Sequence, residues 1–142
     1  MNIRIFSGLM IGALLLVGVG FAVKTRAHEK PEVEVVGGLL YDAGTVPAKR
    51  PLTHAFRLNN PHSFPVGLSI VTTGCECTTA KVSSPLIPAH GQADVTLHVK
   101  LEDSKEISSG VCFATTHEGQ KVETWVLLTG HVAQGAASAS KI

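Results

Sequence analysis

No run or patch of basic residues occurs anywhere in this chain of 142 residues, and charged side chains make up only 16% of it. That removes the electrostatic footprint that nucleic-acid binding requires, and with it anionic-lipid binding by the folded part. Several catalytic signatures are also missing. There is no Gly-x-Ser-x-Gly elbow, no His-Glu-x-x-His and no phosphate-binding loop. The carboxylates at Asp42, Asp94, Asp103, Glu102, Glu106, Glu118 and Glu123 are scattered, with no pairing that suggests general acid–base work. Cysteine is sparse: three residues, in neither a Cys-x-x-Cys redox spacing nor a Cys-x-x-Cys-His haem spacing. None stands directly after the N-terminal apolar segment, which argues against a lipoprotein. No histidine set completes a Cys₂His₂ zinc pattern.

What is present begins with an apolar stretch. Residues 6–23 read FSGLMIGALLLVGVGFAV, preceded by Arg4 and followed by Lys24 and Arg26. A positive start ahead of a hydrophobic run is the form of an export signal. As a helix the same stretch would reach about 27 Å, close to the lower limit for spanning a bilayer. Residues 1–27 are therefore either a cleaved signal peptide or an uncleaved membrane anchor, an N-terminal hydrophobic helix in either case. Both alternatives place the rest outside the cytoplasm, in the periplasm or another extracytoplasmic compartment. Without residues 1–27 the chain keeps nine basic and eleven acidic side chains, a net of −2 rather than the formal +1.

The exported part reads as strands. Ala93 to Leu101 alternates, with Val95, Leu97, Val99 and Leu101 on one face and Asp94, Thr96, His98 and Lys100 on the other. Thr53 to Asn59 places His54, Phe56 and Leu58 together. Glu34 to Leu40, Val66 to Thr72, Val111 to Thr115 and Lys121 to Val132 complete the strand candidates, with a hairpin turn at His117 to Gln120 and a loop over Glu102 to Ser109. Asn60 to Pro65 reads as a turn. About seven short strands and no long helical stripe predict an all-β sandwich of two antiparallel sheets. Its expected core includes Phe56, Leu58, Val66, Leu68, Val71, Leu86, Val95, Leu97, Val99, Val111, Phe113, Val126 and Leu128. Residues 28–37 form a linker and the start of the first strand, residues 38–132 the sandwich, and residues 133–142 a flexible tail.

The segment Thr73-Gly74-Cys75-Glu76-Cys77-Thr78 is the most distinctive in the chain. Cysteines two apart point to one face of an extended strand. Four readings stay open: inert burial, a structural disulfide, a metal site and thiol exchange. A bridge from Cys112 to either cysteine would close a loop of roughly 35 residues and contribute about 3–4 kcal/mol. A bridge between Cys75 and Cys77 would need a tight turn that Glu76 does not ease. As thiolates, Cys75 and Cys77, with Cys112 or a histidine as third ligand, suit a soft ion such as Cu(I). Near the other end, Trp125 and Leu127 have the opposite parity to Val126 and Leu128. They are expected to face outward as a surface for a partner, a second copy or the membrane. An edge position for their strand would add free backbone for strand addition.

Several segments together resemble the bacterial family of unknown function DUF1573, whose hallmark is Cys-Gly-Cys-Thr. Here that motif reads Cys75-Glu76-Cys77-Thr78. Tyr41-Asp42-Ala43-Gly44-Thr45-Val46 resembles the family's Asp-Phe-Gly opening, and His54-Ala-Phe56-Arg-Leu58-Asn-Asn60 its His-x-Phe-x-Phe-x-Asn strand. Pro65 to Val71 follows its Pro-Leu-x-Ile-x-x-Val run. Leu86-Ile87-Pro88-Ala89 resembles Ile-x-Pro-Gly, and Val126 to Val132 the closing Leu-x-Ile-x-Gly-x-Val. The resemblance covers about residues 38–132, departing at Gly74, Glu76 and Ala89. It implies an immunoglobulin-like domain, exported or membrane-anchored. The reading is a non-enzymatic structural or protein-binding module of the cell envelope, meeting an envelope protein or a second copy of itself. The alternative is a Cu(I) or thiol site at Cys75 and Cys77.

Overall fold

The computed structural model describes residues 29–101 and 105–134; the expected N-terminal hydrophobic helix and C-terminal tail lie outside them. Nine strands form among the described residues: β1 (Glu34–Val35), β2 (Leu40–Val46), β3 (Leu52–Asn59), β4 (Val66–Thr73), β5 (Thr78–Val82), β6 (Leu86–Ile87), β7 (Gln92–Val99), β8 (Glu106–His117) and β9 (Gln120–Val132). A four-stranded sheet runs β1-β3-β7-β5 and a five-stranded sheet β2-β9-β8-β4-β6. The all-β sandwich is therefore the fold. All pairings are antiparallel except β2 with β9, which run parallel.

Strict alternation builds the core. In β7, Ala93, Val95, Leu97 and Val99 are buried, and they meet Phe56 and Leu58 of the neighbouring β3 in one cluster. The five-stranded sheet answers with Val111, Phe113, Val126 and Leu128, all fully enclosed. Each such side chain contributes about 1.5–3 kcal/mol of gross burial, which explains how so small a domain coheres with few aromatics.

Two expected core residues turn outward. Val71 is 43% and Leu86 49% exposed. In β4 the alternation set by buried Val66 and Leu68 continues to half-buried Ile70, so Val71 falls on the outward face, beside a bulge between Ile70 and Thr72. In β6 it is Ile87 that is buried, so its neighbour Leu86 points the other way. Three strand assignments also differ from expectation. The expected Glu34–Leu40 strand is β1, ending at Val35, and a separate β2 that starts at Leu40 and runs to Val46. The other two are β5 and β8. β5 occupies Thr78–Val82, which carries no apolar alternation strong enough to announce it. β8 begins at Glu106, within the expected loop, and is buried on both faces from Ser109 to Thr115.

The β8–β9 hairpin turns where expected, through Glu118 and Gly119, both at positive φ (44° and 79°). At the same end of the sandwich lies a polar and aromatic cluster. Fully buried Asn60 donates through Nδ2 to the carbonyls of Phe64 (2.9 Å), Pro88 (3.0 Å) and Ile87 (3.3 Å), and its Oδ1 accepts from the His62 amide (3.0 Å). The His62 ring stacks on Phe64, and Phe64 on His117. Both His62 ring nitrogens face acceptors on the incoming chain: the Glu32 carbonyl at 2.7 Å and the Glu29 carboxylate at 3.1 Å. With Pro31 fully buried as well, residues 29–33 are packed onto this end of the domain.

Candidate functional site

The cysteines sit at the opposite end. β4 belongs to one sheet and β5 to the other, so residues 74–77 carry the chain across the sandwich. The crossing is pinned from both sides. The Gly74 amide donates to the Gly110 carbonyl (2.8 Å) in β8, and the Lys100 amide donates to the Cys77 carbonyl (2.9 Å). The Thr78 amide closes the turn on the Cys75 carbonyl at 3.1 Å. The buried hydroxyls of Thr78 and Ser109 hydrogen-bond directly between the sheets. Thus the threonine of the Cys-x-Cys-Thr motif ties the crossing to the far layer.

Within this turn Cys75 and Cys77 form a disulfide, with Cα atoms 5.1 Å apart. Glu76 does not prevent it, because the turn is already shaped by the Thr78-to-Cys75 hydrogen bond. The Cys77 amide also donates to Cys75 Sγ at 3.0 Å. Both cysteines are half-buried. They line a cavity of about 180 Å³, together with Val99, Lys100, Leu101, Glu106, Ile107 and Ser108. A loop closed across one residue stabilises little: by chain entropy about 1.5 kcal/mol, against about 4 kcal/mol for a bridge to Cys112. Folding therefore gains little from the chosen pairing.

Cys112 lies apart from the pair. It occupies β8 in register with Trp125 of β9 and Thr72 of β4, is buried and is unpaired. Burial, with the Glu123 carboxylate second, pushes its thiol up from the usual range. The thiol is thus poorly nucleophilic. The three cysteines are not gathered into one ligand set. Among the described residues no group of three or more His, Cys, Asp or Glu is placed to hold a metal ion. The oxidised pair offers no thiolate, so Cu(I) could engage Cys75 and Cys77 only after their reduction.

Trp125 and Leu127 stand on the outer face of the five-stranded sheet, 47% and 45% exposed. Their strand is internal, because β2 pairs beyond it, so β9 offers no free backbone edge. The two side chains lie over Gly110. A Cβ added there would meet Leu127 Cδ2 at 2.8 Å and the Trp125 ring at 3.4 Å. Leu40 of β2, 57% exposed, is the register partner of Leu127, and Val71 is exposed on β4. The apolar face thus reaches from an edge strand across the sheet. It adjoins the cysteine turn, since the Trp125 ring also lies 3.9 Å from the position of a Cβ on Gly74. The Leu40 contribution was not legible in the sequence, because nothing in either strand reports that β2 pairs in parallel with β9, whereas the outward position of Val71 follows from alternation with Val66 and Leu68.

The family model described as "Protein of unknown function (DUF1573)" matches residues 38–132. No curated protein matches. Among solved structures, the fold is similar to a PapD-like domain of human CEP192 (TM-score 0.61, 14% identity, covering 82% of this chain and 96% of that one). It is also similar to a protein of unknown function from Porphyromonas gingivalis W83 (TM-score 0.58, 15% identity, covering 76% of this chain) and spans 51% of that protein. The Vibrio cholerae VesB protease shares it with a TM-score of 0.56 at 7% identity, over 70% of this chain and 31% of the protease. At these identities the likeness establishes the architecture alone.

Proposed function

The chain belongs to the DUF1573 family, and we propose that it is a non-enzymatic protein-binding module of the cell envelope. Export follows from the apolar segment at residues 6–23, and the binding surface is the outer face of the five-stranded sheet. The observation that carries this reading is the arrangement of Trp125 and Leu127 over Gly110, continuous with exposed Leu40. A large aromatic ring beside aliphatic side chains on a rigid internal strand has the composition of an interface anchor. The opposite sheet supports the contrast. Its outer face carries the exposed Arg57–Asp94 ion pair and a Thr53–His98 hydrogen bond, which are groups that water solvates well. The PapD-like architecture is consistent with such a role and does not identify a partner.

The test is site-specific photocrosslinking of the full chain in its own cells. A benzophenone side chain at Leu127 is expected to trap one defined species, either a second copy or a distinct envelope protein. The same probe at Arg57 is expected to trap none. Equal labelling from both positions, or none from either, refutes the docking face. A reporter enzyme fused after residue 134, active only outside the cytoplasm, checks export.

A further inference from the structure

We propose that the Cys75–Cys77 disulfide is a thiol-exchange site that accepts two electrons from an external dithiol. Four observations converge on it. The bond joins residues two apart in sequence, and such short closure restrains the unfolded chain little. It lies half-buried beside a cavity of about 180 Å³, large enough for an incoming thiol to approach. Its surrounding turn is held by the Gly74, Thr78 and Lys100 amides independently of the sulfurs, so the fold persists when the bond opens. Finally, one sulfur is prepared as a leaving group. The Cys77 amide points at Cys75 Sγ from 3.0 Å, where it would stabilise a thiolate.

The electrons balance as follows. A thiolate of the dithiol attacks Cys77 Sγ. The Cys75–Cys77 bond breaks, and Cys75 departs as a thiolate that takes a proton from solvent. The second thiolate of the donor then attacks the donor's first sulfur in the mixed disulfide, closing the donor's disulfide and releasing Cys77 as a thiolate, which takes a second proton from solvent. The donor is oxidised by two electrons and the pair is reduced to two thiols. Cys112 takes no part, being enclosed in β8.

The experiment uses the full Cys112→Ser chain in mild detergent, with dithiothreitol and reduced thioredoxin as probes and alkylation followed by mass spectrometry as readout. Reduction in the folded state is expected to be at least as fast as in urea, and the reduced chain is expected to keep a cooperative thermal transition whose midpoint falls by no more than about 12 °C, as loss of about 1.5 kcal/mol implies. Brief exposure to glutathione should place the adduct on Cys77. A preference for thioredoxin of about tenfold or more over dithiothreitol at equal thiol concentration identifies a protein as the donor, whereas the reverse order identifies a small thiol; both uphold the site. Protection of about tenfold or more in the folded chain against both probes overturns it, as does unfolding on reduction. Glutathione found on Cys75 overturns the assigned leaving group. Because Trp125 and Leu127 take no part in exchange with dithiothreitol, that arm can fail while the docking face stands, and the reverse.

Discussion

Gly110 is closely covered by the Trp125 and Leu127 side chains. A methyl at this position would meet Leu127 Cδ2 at 2.8 Å and the Val126 carbonyl at 3.3 Å. Leu127 is half exposed and its end can swing aside, so the Val126 carbonyl is the fixed obstacle. Gly110→Ala is expected to cost about 1 kcal/mol, the low end for overpacking, and to shift the fluorescence of the single tryptophan. Urea denaturation measures the first effect. Gly74→Ala is the control: its nearest contacts would be 3.6 Å, ordinary van der Waals spacing. Its expected change is within about 0.5 kcal/mol. Asn60 is a second sensitive residue. Asn60→Ala removes the donor from three carbonyls and the acceptor of the His62 amide at a site with no solvent, so a loss on the order of 3 kcal/mol is expected in the same assay. His54 adds a pH dependence. Burial holds its pKa below the ordinary 6.5, and Tyr41 stacks on its ring with centroids 3.6 Å apart. A lowered folded-state value means that the unfolded chain binds the proton more readily. The contribution of neutral His54 is complete above about pH 6.5 and is lost as pH falls through the lower, folded-state value. His54→Gln is expected to flatten this part of the stability profile below neutrality, read from urea midpoints across the pH series. Cys112 should resist alkylation in the native chain and react on unfolding, since its thiol is both buried and pushed up.

At the scale of strands, the alternation in β3, β7 and β9 was legible because each of these strands has one face toward the core, and parity then assigns every side chain. The outward pair at Trp125 and Leu127 followed from the same rule. In β4 the same parity, counted from Val66 and Leu68, turns Val71 outward, and the core expectation for Val71 departed from it. Parity was silent where both faces are buried, as in β8, whose Ser-Ser-Gly start has a loop's composition. The pairing of the cysteines was beyond sequence reasoning, because it depends on a turn built mainly by backbone hydrogen bonds from Thr78 and Gly74, which no residue type announces. The buried role of Asn60 was hidden in the same way: Asn-Pro-His has the chemistry of a turn, and nothing in it reports which carbonyls gather around the amide. The β8–β9 turn offers a positive test. Glu118 adopts φ of 44° ahead of Gly119 at 79°, a conformation that asparagine tolerates better than glutamate. Glu118→Asn is expected to stabilise the chain by a few tenths to about 1 kcal/mol, seen as a raised urea midpoint.

For the whole molecule, the two ends of the sandwich carry different chemistry. β3 and β7 run the length of it. Asn59 pairs with Gln92 near the cluster that holds Glu29 and Glu32, and Leu52 pairs with Val99 near the cysteine turn. Eight strand residues at roughly 3.3 Å each separate these ends by about 25 Å. The chain enters the domain beside His62, so a tether at residues 6–23 would fix that pole nearest the bilayer and leave the sulfur pair at the far tip. So tethered, the molecule would act as a spacer as well as the proposed binding face: its length, rather than any hinge, would set how far into the surrounding compartment the disulfide tip projects. Lengthening the segment ahead of Glu29 would change that standoff without altering a single contact inside the domain.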